Sequence, residues 1–214
     1  MRKILLALTL LIATPVLAQE QQQPPPADTP VPQAVTQAPT NPPMTGPRIL
    51  ISTSMGDITL QLDSVRAPKS VANILRYVKE KHFDNTAFYR VAKGFVIQMG
   101  SWDAAGNGRS IHAGPVPLEA NNGLKNLRGA VALARADAPD SATAEFFISL
   151  ADNAPLDHKA EDAGNTTGYA VFGQVESGME VADAIANVPT GGKGPMPDQA
   201  PVTPIIVKKV TLLK

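Results

Sequence analysis

No cysteine occurs anywhere in the 214 residues. That excludes a disulfide framework and attachment of a lipid through a cysteine. The other usual carriers of chemistry are missing too. There is no HExxH helix, and His82, His112 and His158 lie far apart with no second ligand type at metal spacing, so each reads as an ordinary surface or loop histidine. No GxSxG elbow is present. GNGRS (106–110) lacks the lysine and the preceding strand of a phosphate loop and reads as a structural turn. The Glu161-Asp162 pair lies in a polar stretch and reads as solvated. Acyl transfer, metal-assisted hydrolysis and phosphoryl transfer therefore all lack their parts. An excess of one charge is also missing. Nineteen basic residues balance nineteen acidic ones, which argues against nucleic acid or an anionic membrane as a partner.

A hydrophobic run long enough to span a bilayer, about 20 residues, is absent as well. The apolar run Ile4 to Ala13 is shorter and is followed by Thr14-Pro15. With Arg2 and Lys3 before it and Val16-Leu17-Ala18 after it, residues 1–18 have the layout of a cleavable secretory leader. The expected location is the periplasm, and the alternative is a membrane anchor formed by an uncleaved leader. Cleavage after Ala18 removes two basic residues and leaves 17 against 19 acidic, a formal net of −2. Residues 19–47 hold nine prolines and six glutamines without hydrophobic periodicity, the composition of a disordered, semi-extended linker. Residues 48–214 remain as one domain, large enough for a substantial core.

Within that domain RILISTS (48–54) and ITLQLD (58–63) alternate and flank the turn MGD, which predicts a hairpin. Val71, Ile74, Leu75 and Val78 share one helical face, and Pro68 suits a first turn, so a helix is expected from about 68 to 80. AFYRVA, FVIQMG, GAVALAR, EFFISL, YAVFGQV and TPIIVKKVTLL read as further strands. GMEVADAIANV reads as a second helix. Residues 101–127 read as a long loop, functional or mobile. Strands do not alternate with helices, so a parallel doubly wound sheet is disfavoured. A closed antiparallel β-barrel with two covering helices fits better.

FYRVAKGFVIQMG (88–100) poses a problem within this pattern. Both strands are apolar enough to be buried, yet they carry Arg90 and Gln98. A charge in such a place is costly unless it is paired or serves a site.

The same stretch resembles the cyclophilin signature F-H-R-x-x-x-x-F-x-x-Q-G-G. ALARADAPDSATAEFFISLADNAPLD and GYAVFGQVESGMEVADAI are similar to two further cyclophilin blocks, and LEANNGLKNLRG to the exported bacterial subgroup. The similarity runs in register over nearly all of residues 48–214. It implies an eight-stranded antiparallel barrel capped by two helices. It also implies peptidyl-prolyl cis/trans isomerase activity without cofactor or metal, acting on proline-containing polypeptides and helping exported proteins fold; nothing in the sequence predicts other than a monomer. A cyclophilin-like peptide-binding or chaperone module with incidental isomerase activity is the alternative. By matching positions, Arg90 would donate to the prolyl nitrogen of a twisted amide, beside Phe95 and Gln98 as catalytic residues, with Gln98 bonding the substrate backbone. Phe95, Val96, Phe147 and Leu156 would hold the proline ring, Ala134 and Arg135 would offer main-chain contacts, and Tyr169 stands where many relatives have histidine. Strand parity places Glu145 and Phe147 on one face and Phe146 and Ile148 on the other, so Phe146 is expected in the core. Trp102 is assigned to packing only.

The chain departs from the motif at several points. Tyr89 replaces its histidine, Lys93 its proline, Met99 its first glycine, and Glu145 the glutamine before the paired phenylalanines. Pro155 stands where many eukaryotic relatives have tryptophan, which implies weak cyclosporin binding. A carboxylate at Glu145 is expected to pair with Arg90 or to compete with substrate for it, so Glu145→Gln should leave activity unchanged or raised.

Overall fold

Alternation decides the first two strands. In β1 (Arg48–Thr53) and β2 (Asp57–Leu62) every second residue is buried, with Ile49, Ile51, Ile58, Leu60 and Leu62 inaccessible to solvent. The structure is a computed structural model describing residues 39–159 and 167–214. The expected leader (1–18), residues 19–38 of the proline-rich segment and the Glu161-Asp162 pair lie outside the described residues. The elements that follow are α1 (Pro68–Lys79), β3 (Thr86–Ala87), β4 (Arg90–Ala92), β5 (Val96–Met99), β6 (Ala130–Leu133), β7 (Phe146–Ser149), β8 (Val171–Ser177), α2 (Met179–Ala186) and β9 (Ile206–Leu213).

The strands form one curled, wholly antiparallel sheet in the order β3-β9-β1-β2-β8-β6-β7-β5-β4. Nine strands appear where eight were expected because AFYRVA divides. Thr86 and Ala87 pair with β9, whereas residues 90–92 pair with β5. The two ends of the sheet are therefore joined through Phe88-Tyr89. Helix α1 packs on β9 and β8, and α2 on β2, β5 and β4. Among the described residues no helix is long and apolar enough to cross a membrane.

Phe146 lies in the main core, edge-on to Phe83 at 5.6 Å and to Phe172 at 6.0 Å, while Phe147 belongs to a second apolar cluster with Val96, Leu124, Ala130, Ala132 and Val171. The wall formed by β5, β6 and β7 is thus buried on both faces, which is why FVIQMG and EFFISL read as continuous apolar runs.

Two expectations need correction. Residues 41–47, assigned to the disordered linker, are tied to the domain. Asn41 and Lys125 exchange two hydrogen bonds of 2.8 Å, Thr45 and Pro47 carbonyls accept from Ser64 and Leu62 N–H at 3.0 Å, and Met44 packs against the second cluster. Residues 41–47 accordingly belong to the folded unit; proline fixes an extended path but does not prevent its carbonyls from accepting. The long 101–127 segment is likewise anchored. Ala67 offers no side-chain cap to α1, and Glu119 supplies one, accepting from Lys69 N–H, Ser70 N–H and Ser70 Oγ–H at 3.1, 2.8 and 2.7 Å. A carboxylate there satisfies orphan donors and suits the helix dipole.

His82 is also not a surface histidine. It is 4% exposed, packs 4.7 Å from the Tyr77 ring, and its Nε2 hydrogen-bonds Ser101 Oγ at 2.9 Å. Burial first, then the nearby Arg109 charge, lowers its pKa from 6.5 to about 4. The folded state therefore binds fewer protons than the unfolded chain between those values. Stability is fully present above pH 6.5 and is lost as the pH falls toward 4, by on the order of 3 kcal/mol for this group. Urea denaturation across that range should show the acid loss in wild type and a flatter profile by about that amount in His82→Gln.

Candidate functional site

Register assembles the site. Arg90 stands opposite Gln98, Gln98 opposite Phe147, Phe147 opposite Ala132, and Ala132 opposite Val171. This row crosses five strands on the face turned away from the main core. The turn after Ala92 uses Gly94 at φ 73°, a conformation that favours glycine, and Phe95 N–H donates back to Ala92 C=O at 2.9 Å. That reversal sets Phe95 beside Arg90, with the guanidinium carbon 6.0 Å from the ring centroid.

Arg90, Phe95, Val96, Gln98, Ala134, Arg135, Phe147, Leu156 and Tyr169 all line one cleft of about 220 Å³. That is below the roughly 300–1,000 Å³ of sites for drug-sized ligands and suits one or two amino-acid side chains. Leu156 belongs to the turn Ala154–Leu156. Tyr169 meets Phe147 edge-on at 5.6 Å. Arg135 lies 5.0 Å above the Tyr169 ring and donates from Nε to Gly168 C=O at 3.1 Å and from Nη1 to Ala136 C=O at 2.9 Å. Its guanidinium is thus folded back as a brace on the wall of the cleft. Ala134 N–H donates to Glu145 C=O at 2.9 Å, so the main-chain group Ala134 can offer a ligand is its carbonyl.

Arg90 is held by two neutral amides. Its Nε donates to Gln199 Oε1 at 2.6 Å and its Nη1 to Gln98 Oε1 at 3.0 Å. None of the salt bridges among the described residues involves Arg90. Three of the five guanidinium donors remain beside the cleft, with their charge not neutralised. Gln98 is turned toward Arg90 and toward the Tyr89 hydroxyl, to which its Nε2 donates. One Oε1 lone pair is left for a ligand backbone.

Glu145 is the residue that the structure keeps out of the cleft. Its Oε1 accepts Ser101 N–H at 2.6 Å, and the carboxyl lies against Gly100, where a Cβ would fall 2.5 Å from Cδ. It neither pairs with Arg90 nor blocks it, because the strand end at Met99-Gly100 carries it past the row. Met99 lies in the main core. Trp102 packs on Tyr89 with ring centroids 6.0 Å apart. Sequence reasoning missed Met196, which completes the cleft lining, and Gln199. Both come from the segment around the turn Pro197–Gln199, a polar stretch with no periodicity to place it over a strand more than a hundred residues away.

Comparison with known proteins follows the same lines. The family model described as cyclophilin type peptidyl-prolyl cis-trans isomerase/CLD matches residues 48–212. Peptidyl-prolyl cis-trans isomerase A of Dickeya dadantii is 44% identical over 170 residues, 79% of this chain and 86% of that protein. Peptidyl-prolyl cis-trans isomerase B of Escherichia coli is 42% identical over 164 residues, 77% of this chain and 98% of that one. A crystal structure of a Cryptosporidium parvum isomerase of this type, in the presence of the dipeptide ala-pro, superposes with a TM-score of 0.65 at 25% identity, covering 78% of this chain and 99% of its own.

The Gln199 contact makes a prediction about Arg90 itself. In Gln199→Ala the Arg90 Nε–H NMR signal should exchange with solvent about fivefold faster than in wild type, the factor for losing a hydrogen bond of about 1 kcal/mol. Side-chain NMR with hydrogen exchange measures this.

Proposed function

The chain belongs to the cyclophilin-type peptidyl-prolyl cis-trans isomerase family, and on that premise we propose that it accelerates rotation about Xaa-Pro bonds in exported polypeptides. Rotation about a peptide bond faces a barrier of about 18–20 kcal/mol from C–N resonance. Before proline the two isomers differ by only about 1 kcal/mol but exchange over tens to hundreds of seconds, slowly enough to limit folding. No covalent intermediate is required. At the twisted amide the prolyl nitrogen regains a lone pair, and a donor aimed at it binds that state more tightly than either planar isomer. Only such differential binding raises the rate.

The observation that carries this reading is the unneutralised Arg90 guanidinium, fixed by two amide oxygens beside a cleft that Phe95, Val96, Phe147 and Leu156 help to line. Arginine keeps its charge at any working pH and presents donors in a rigid plane. Phe95, Val96, Phe147 and Leu156 would take the proline ring. The remaining Gln98 lone pair and the Ala134 carbonyl would hold the backbone on either side. Tyr169, braced by Arg135, closes the wall.

Action on exported clients rests on the leader pattern of residues 1–18. The mature protein is expected as a monomer in the periplasm. Mass spectrometry of protein from the periplasmic fraction should give an N-terminus at Gln19; recovery of the full chain with the membrane would instead assign an anchored form. For the chemistry, Arg90→Ala should lower kcat/KM on a proline tetrapeptide by about 10²–10³-fold, the usual cost of one such donor, with KM little changed. A fall of less than tenfold would remove Arg90 from the mechanism.

A further inference from the structure

Met196 is the lining residue of the cleft that the signature does not supply. It is 37% exposed and belongs to TGGKGPMPDQAP (190–201), between α2 and β9. The base of this segment is closed. Gly191 and Gly192 N–H both donate to Ala200 C=O at 2.9 Å, and Val202 N–H donates to Pro189 C=O at 2.9 Å. At the tip a methionine stands between two prolines. Pro195 and Pro197 have φ fixed by their rings, and a residue before proline is held out of the helical region; Met196 has φ −133° and ψ 75°. Its carbonyl accepts Gln199 N–H at 3.0 Å, and the Gln199 side chain is bonded to Arg90. The Met196 backbone is thus set relative to Arg90, while its unbranched side chain can adapt to what it meets.

The turn Pro197–Gln199 packs on β4, so Met196 stands at the Arg90 end of the cleft. Ala134 follows β6, three strands away in the order β6-β7-β5-β4. With strands about 4.8 Å apart, these ends are separated by about 14 Å, the span of about four extended residues. A ligand that reaches from Ala134 to Arg90 therefore presents residues on both sides of its proline. Which side meets Met196 follows from what moves. Rotation about an Xaa-Pro bond swings the Xaa carbonyl relative to the prolyl ring, whereas the proline's own carbonyl stays on the ring side of that bond. Arg90 has three donors left beside the cleft. With one directed at the prolyl nitrogen, the neighbouring acceptor that can stay in place is the proline carbonyl. The half of the ligand after proline then lies at Arg90, and the next residue, Yaa in Xaa-Pro-Yaa, runs out past Met196.

A thioether carries no charge and accepts hydrogen bonds only weakly, so what Met196 offers Yaa is apolar surface. A large apolar or aromatic Yaa would cover it; glycine would leave it in water. Such a contact is the same before, during and after rotation. Uniform binding of that kind lowers KM and leaves kcat alone.

We propose that Met196 is the specificity-determining residue for the position after proline and favours a large apolar or aromatic side chain there. This rests on Arg90 being the donor to the prolyl nitrogen.

The test measures kcat and KM by NMR exchange on Ala-Ala-Pro-Yaa peptides with Phe, Leu, Gly, Lys or Glu at Yaa, and on Ala-Xaa-Pro-Gly peptides with Phe or Gly at Xaa. Wild type, Met196→Ala, Met196→Leu and Met196→Glu are compared, with Arg90→Ala as reference. In wild type KM should be about fivefold lower for Phe than for Gly at Yaa, the factor for about 1 kcal/mol of apolar contact. Met196→Ala should bring that ratio below about twofold, and Met196→Leu should keep it. Met196→Glu should shift the ratio between Lys and Glu at Yaa about threefold toward Lys, the scale of an exposed ion pair. The ratio between Phe and Gly at Xaa should stay the same in every Met196 variant. Folded fraction is followed by circular dichroism in the same samples. No preference for an apolar Yaa in wild type, a preference that survives Met196→Ala, a changed ratio at Xaa, or a kcat loss common to all peptides would each overturn the proposal. If Arg90→Ala is itself nearly silent, the catalytic reading fails and takes the proposal with it. If Arg90→Ala is severe and the Yaa ratio does not respond to Met196, the reading stands and only the specificity assignment falls.

Discussion

An arginine placed on a sheet face without a carboxylate partner is the constraint on which the site depends. A guanidinium paired with an acid would be easier to bury, but its donors and its charge would be spent before a ligand arrived. This chain holds Arg90 by the side-chain oxygens of Gln98 and Gln199. Amide oxygens direct a guanidinium without cancelling its charge, so the field at the cleft stays positive. The acid that does lie nearby, Glu145, is kept one residue beyond the row by its bond to Ser101 N–H.

The rest of the fold can be understood as what such an arrangement requires. Two-sided burial of β5, β6 and β7 puts a hydrophobic core behind the row and a smaller apolar cluster in front of it. The first supplies stability; the second supplies walls that lower the local dielectric and strengthen each polar contact in the cleft. Joining the two sheet ends through Phe88-Tyr89 leaves β4 no freedom to slide, so the Arg90–Gln98 register is set from both sides. Distant segments then complete the setting: Gln199 clamps Arg90 and Arg135 braces Tyr169.

Much of this was legible in the residues. Periodicity located both helices within two residues, because a helix that buries one face must repeat its apolar positions every three to four residues. Parity along EFFISL separated Phe146 from Phe147, because neighbours in a strand must face opposite ways. Resemblance to a signature then turned an odd arginine into a site, and its matched positions came together in one cleft with the single exception of Glu145.

What sequence alone determined was local: which segments extend, which coil, which side of each strand is apolar, and which residue types are chemically capable. What only the tertiary structure decided was relational. That Gln199 reaches Arg90, that residues 41–47 dock on the domain, that His82 is interior, and that Glu145 accepts from Ser101 in place of confronting Arg90 all depend on contacts between segments far apart in the chain. Hydrogen bonds of this kind leave no period in a sequence, since a donor and its acceptor need only meet in space.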